Sequence, residues 1–110
     1  TPAEYSAAIG YDNYVNGKFN TAIGSGLKSA SKFEVVVGSY NSITTGDADS
    51  WIATEPIFQV GNGTTVANRK NAMTVYKNGD VEVPKLKGTG NAYACINADG
   101  VLFRSATPCN

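Results

Sequence analysis

At 110 residues, 42% of them apolar, the chain has room for one ordinary domain or several small modules, and too much apolar content for wholesale disorder. Nine basic and nine acidic residues cancel, which removes a general electrostatic case for binding nucleic acid or an anionic membrane surface. With no histidine, serine and cysteine triads, most metal sites and the commonest general base are excluded together, and no apolar run approaches the roughly 18 residues of a membrane span.

Thr1 to Tyr5 lack the charged and hydrophobic regions of a signal peptide, and a repeat is already under way at Tyr5. The chain is therefore expected to be the distal part of something longer. Aligned on a period of 14 residues, Tyr5, Phe19 and Phe33 share one column and Ala8, Ala22 and Val36 a second. Ile9, Ile23 and Val37 form a third, and Gly10, Gly24 and Gly38 a fourth. The period is too short for a helical pair and too long for one hairpin strand. It fits one turn of a parallel β-coil built from two short strands and two corners.

Each repeat glycine then marks a corner where φ is positive or backbones approach closely, and the second corner falls near Asn16-Gly17 and Ala30-Ser31. Consecutive apolar residues, Ala7-Ala8-Ile9 and Val35-Val36-Val37, predict strands covered on both faces. A single narrow coil cannot cover both, so self-association is expected to complete a thin core. The recurring aromatics are expected to be a core stack.

The pattern breaks at "GDADSWIATEP", a polar loop holding the only tryptophan, Trp51. Beyond it, Ile57 to Val60, Ala72 to Tyr76 and Val81 to Val83 read as short strands of an antiparallel module. Asn78-Gly79 between the last two predicts a type I′ hairpin. After a Pro/Lys/Gly linker, Ala92 to Asn97 and Val101 to Ser105 read as a second hairpin turning at Asp99-Gly100. Almost no helix is expected. Cys95 and Cys109 match no zinc spacing. A disulfide between them, in an oxidising compartment, is the more economical reading, and two buried free thiols in a cytosolic protein are the alternative.

The "AIG" blocks and the Ser29-Ala30-Ser31 between them resemble the head repeats of trimeric autotransporter adhesins. That resemblance implies a homotrimer in which each chain forms a left-handed parallel β-roll. "FQVGNG" and "NAMTVYKNGDV" resemble a shaft module of bacteriophage tail fibres and surface fibre proteins, and "ACINADGVLFRSATPC" is similar to a disulfide-closed tail of secreted bacterial fibres. The combination most resembles the mosaic adhesive trimers of predatory Gram-negative bacteria.

Candidate chemistry is sparse. Asp47 and Asp49 form a D-x-D with Glu55 nearby, so a glycosidase pair or a calcium site is conceivable, but a solvated turn explains them better because calcium needs more oxygen ligands than this loop offers. Gly24-Ser25-Gly26 is not a phosphate loop, since no Lys-Ser or Lys-Thr pair follows it. The basic spots at Asn68 to Lys70 and Lys85 to Lys87 read as soluble turns.

A carbohydrate surface needs flat apolar rings beside planar polar groups. Tyr11 and Tyr14 depart from the repeat, whose counterparts are Ser25 and Lys28. Trp51 lies with Asp47, Asp49 and Ser50, and Arg104 follows Phe103 in the last hairpin. Packing at the junction of the coil with the shaft is the better explanation of Trp51.

The expectation is an all-β homotrimeric fibre segment: parallel β-roll head repeats over residues 1–45, an antiparallel shaft module over 46–84 and a disulfide-closed hairpin tip over 85–110. Its expected function is adhesion to glycans or other envelope components of a target cell, through Tyr11, Tyr14, Asp47, Asp49, Trp51 and Arg104. No enzyme activity, cofactor, metal, nucleic acid or membrane span is expected. An extracellular fibre on a cell surface or a virion is the expected setting, and a purely structural trimerising segment is the alternative.

Overall fold

The computed structural model describes residues 4–109; the first three residues of the expected head repeats and the last of the expected tip lie outside it. Among the described residues the fold is all-β, with ten strands and a single 3-10 turn at Pro84–Leu86. The repeat becomes five strands: β1 (Ala7–Tyr11), β2 (Tyr14–Val15), β3 (Thr21–Ser25), β4 (Lys28–Ser29) and β5 (Val35–Ser39). Strands β1, β3 and β5 pair in parallel with like columns in register, Ile9 beside Ile23 beside Val37 and Gly10 beside Gly24 beside Gly38. A second parallel ladder joins β2 to β4, Tyr14 opposite Lys28. One period thus carries the chain through two ladders and back to the rung below.

The parallel ladder does not stop where the repeat does. Strand β6 (Pro56–Asn62) lies parallel beside β5, with Gly61 opposite Gly38, before β7 (Asn71–Tyr76) and β8 (Val81–Glu82) continue the same sheet antiparallel. The mixed sheet therefore runs β1-β3-β5-β6-β7-β8. Strands β9 (Tyr93–Ile96) and β10 (Leu102–Ser105) form a separate antiparallel hairpin, and the molecule measures 51 × 27 × 22 Å.

Both expected hairpins form, with a different turn. Gly79 has a positive φ of 96° whereas Asn78 does not, and the N–H of Gly79 donates to the carbonyl of Tyr76 while that of Tyr76 donates to the carbonyl of Asp80. This is a three-residue loop, a turn followed by a left-handed glycine, rather than type I′. Asn97–Val101 repeats it around Gly100.

The repeat glycines sit inside the strands, not at the corners. What they provide is close approach: at Gly24, with φ 146°, an added Cβ would lie 1.9 Å from the carbonyl oxygen of Gly38. The corners are occupied by the aromatic column, where Tyr5, Phe19 and Phe33 hold left-handed φ values of 56°, 61° and 62°. Their rings stack at centroid separations of 5.3 and 5.0 Å, close to the spacing of neighbouring strands. The stack is not the expected core, for the three residues are 79%, 44% and 41% exposed in the chain. A left-handed corner throws its side chain outward, so the rings line the outside of the coil.

The apolar core is Ala22, Leu27 and Val36, with Val15 packed against it. Alternation along the strand points the neighbours Ile9, Ile23 and Val35 outward, and they remain exposed. In the single chain the expected cover on both faces is therefore absent from one of them. Much of the remaining interior is polar: Asn20, Ser29, Ser31, Glu34, Asn41, Gln59, Asn71 and Thr74 are all buried. Asn20 Oδ1 accepts from the Glu34 N–H at 2.7 Å, while its Nδ2 donates to Ser29 Oγ at 2.7 Å and to the Ser31 carbonyl at 2.6 Å. Gln59 Oε1 accepts from Asn41 and Asn71, and its Nε2 donates to Glu34 Oε2. Each rung is thereby tied to the next by a side chain that satisfies the corner's backbone groups.

Cys95 and Cys109 are joined by a disulfide. Cys95 is buried, but Tyr93, Ile96, Val101, Leu102 and Phe103 around it are exposed, and a two-stranded hairpin is marginal alone. Closing a loop of this length contributes about 3 kcal/mol. Reduction is expected to strip hydrogen-exchange protection from β9 and β10 while β3, β5 and β6 keep theirs. Simultaneous loss of protection in the ladder would make the hairpin part of one cooperative unit with it.

Candidate functional site

The loop over residues 46–55 is built from the Asp47 turn. Asp47 Oδ1 accepts from the N–H groups of Asp49 and Ser50 at 2.9 and 3.0 Å, and the Asp47 N–H donates to Glu55 Oε2 at 2.8 Å. The carbonyls of Asp47 and Ala48 accept from the N–H groups of Lys32 and Lys18 at the ladder corners. The loop therefore caps the aromatic column and sets Trp51 against it, 6.3 Å from Phe33 with the ring planes 58° apart.

Charge surrounds this column. Lys18 Nζ is 2.8 Å from Asp49 and 3.1 Å from Glu4. The hydrogen bond to Lys18 holds the Asp49 carboxyl below its ordinary range, and Asp49 with Glu4 raises the Lys18 amine in turn. The whole cluster is exposed. Lys32 Nζ lies 5.1 Å from the centroid of Phe33. Because Phe19 is sandwiched between Tyr5 and Phe33, its faces are already covered. The outer ring of Tyr5 and the half-exposed Trp51 are what a planar ligand can stack upon.

The expected ligand-binding residues do not converge on one place. Asp47, Asp49 and Trp51 share the loop. Asp47 spends its carboxylate on its own turn and Asp49 on Lys18, so the D-x-D is explained by local structure. Tyr11 and Tyr14 are exposed on either side of the corner where Asn13 bridges the Ile9 and Gly24 carbonyls and the Leu27 N–H. Arg104 belongs to the last hairpin, where Nη2 donates to the carbonyls of Thr89 and Gly90 at 2.8 and 2.6 Å and fastens the linker. Beside it is a shallow hollow of about 170 Å³, lined by Leu86, Ala92, Tyr93, Ala94 and Phe103.

Lys77 becomes a candidate only in three dimensions, beside the Glu55 that the sequence already sets near the D-x-D. The turn after β7 buries the Lys77 side chain beneath the loop, 3.8 Å from Glu55 Oε1 and with its amine 5.6 Å from the centroid of Trp51. Burial pushes the Lys77 amine below its ordinary value, against the pull of Glu55. Nothing in the sequence links Lys77 to Glu55, since they meet only because β6 and β7 are adjacent.

No protein-family model matches the chain, and neither a curated protein nor a solved structure matches it.

Proposed function

We propose that the chain is a segment of a homotrimeric extracellular fibre that adheres to a target cell, binding glycans or other envelope components. The observation that supports this most directly is the open apolar face of the ladder, where Ile9 and Ile23 stand exposed one rung above another, half-buried Val37 follows in the same column, and Val35 is exposed two residues before it on the same strand. A contiguous apolar face on a soluble chain marks an association surface, and three β-rolls around a common axis would bury it. The Cys95–Cys109 disulfide accords with a secreted setting, and among the described residues no helix is long and apolar enough to cross a membrane. A fibre presenting three copies of a weak site gains avidity without new contacts.

A purely structural role is the second reading. It is favoured by the internal engagement of Asp47, Asp49 and Arg104, three of the residues that a ligand would need. Light scattering on the non-reduced chain, coupled to binding of fluorescently labelled chain to glycan arrays and cell-envelope extracts, separates the two. A trimer that binds, and loses binding with Trp51→Ala, supports adhesion. A trimer that never attaches supports the structural reading, and attachment that survives both Trp51→Ala and Arg104→Ala moves adhesion to other residues. A stable monomer removes the fibre proposal.

A further inference from the structure

The junction between the loop and the β7–β8 turn leaves a donor and an acceptor unsatisfied. The Lys77 side chain is fully buried, yet its Nζ has no hydrogen-bond partner, and neither has Glu55 Oε1. Their separation of 3.8 Å is beyond hydrogen-bond reach. Neither group drifts there by chance. The Lys77 N–H donates to the Glu55 carbonyl at 3.0 Å, the Asn78 N–H donates to the Ala53 carbonyl at 3.0 Å, and Glu55 Oε2 accepts from the Asp47 N–H. A buried amine without partners is costly, and native folds keep few such groups without a use for them.

What would satisfy the pair follows from its surroundings. A free anion is disfavoured because the Glu55 and Asp47 carboxylates both act on the same amine, and a cation is disfavoured by Lys77 itself and by Lys32. The remaining fit is a neutral group that accepts from Nζ, donates to Oε1 and offers a flat C–H face to an aromatic ring. Adjacent hydroxyls on a sugar ring have that combination.

We propose that Trp51, Glu55 and Lys77 form a subsite for a neutral hexopyranose, one ring hydroxyl accepting from Lys77 Nζ and its neighbour donating to Glu55 Oε1, with the Trp51 ring swinging aside to admit the sugar and stacking on it. The inference rests on the glycan-adhesion reading and names the residues that carry it. Trp51 is 53% exposed, so its outer edge is free of packing, and the Glu55 side chain is itself partly exposed.

The only tryptophan in the chain stands over the site and reports on it. The intact, non-reduced chain is titrated with methyl α-D-mannopyranoside, methyl β-D-galactopyranoside and methyl β-D-glucopyranoside, with inorganic phosphate alongside. At least one glycoside is expected to shift Trp51 emission saturably at millimolar concentration. Lys77→Met and Glu55→Gln are each expected to weaken that response about tenfold or more. Lys77→Met keeps the apolar stem but leaves the buried Glu55 oxygen without its counter-charge and is expected to lower the thermal midpoint, whereas the double variant Lys77→Met/Glu55→Gln removes both charges and should hold it; loss of the response in the folded double variant separates lost binding from lost fold.

Three outcomes overturn the subsite: no response to any glycoside, a response to phosphate alone, or one unchanged in both variants. Attachment of the intact assembly to envelope extract is measured in parallel. Attachment without a Trp51 response leaves adhesion standing and removes this subsite; a Trp51 response without attachment does the reverse.

Discussion

Gly24→Ala is expected to unfold the repeat ladder, or to cost more than about 4 kcal/mol if any of it survives. The added Cβ would sit 1.9 Å from the Gly38 carbonyl oxygen and 2.9 Å from its carbonyl carbon. Those atoms are backbone, held by the parallel pairing of β3 with β5, so no rotamer change can relieve the clash. The φ of 146° adds strain for any residue with a side chain. Gly79→Ala is the control: its φ is also positive, at 96°, but nothing lies within 4 Å of the added carbon. It should cost about 1–2 kcal/mol, from backbone strain alone. Urea unfolding followed by circular dichroism compares the two. Equal losses would mean that close approach between rungs is not what the glycine column provides.

The second large effect is a dependence on pH that runs against the usual acid sensitivity of proteins. Glu34 is buried at 1% exposure, and desolvation pushes its pKa from 4.5 up to about 7, even though Gln59, Ser29 and the Ala30 N–H all donate to its carboxylate. The folded state therefore holds a proton on Glu34 that the unfolded chain has released. Stability from this group is complete below pH about 4.5, declines as pH rises through about 7, and is flat above; the total is about 3 kcal/mol.

The chain has no histidine to titrate in that window, and the lowered carboxyls of Asp49 and Glu82 act below it. Urea midpoints measured from pH 4.5 to 8 are expected to fall, and Glu34→Gln is expected to flatten the profile. A midpoint that holds or rises across the range would show that the three donors keep Glu34 ionised.

Register was the most legible property of the sequence. The columns of the 14-residue period pair in the order they align, Ala8 with Ala22 with Val36 and glycine with glycine. A period shows which residues share a column but not which way the column points. Ala22 and Val36 face inward and Ile23 outward because side chains alternate, while the aromatic column faces outward because its corners are left-handed. Neither sign is carried by hydrophobicity. Ser6, Asn20 and Glu34 also stand in one column, and their cross-rung bonds, Asn20 N–H to Ser6 Oγ and Glu34 N–H to Asn20 Oδ1, follow the same spacing although their differing chemistry hid the column from an apolar pattern. The Lys77–Glu55 contact was not legible, because it depends on a turn docking against a loop and no period relates the two.

The longer return from β5 to β6 has an evolutionary consequence. Gly38 still meets Gly61 although the intervening chain exceeds one ordinary period, so extra residues were absorbed at a corner without disturbing the stacking above or below. In a parallel stack the identity of each rung does not depend on how far the chain travels to reach it. Corners are thus the positions at which such a protein can lengthen, diversify and acquire new surface while its scaffold stays the same, and the insertion bearing Trp51 occupies one of them.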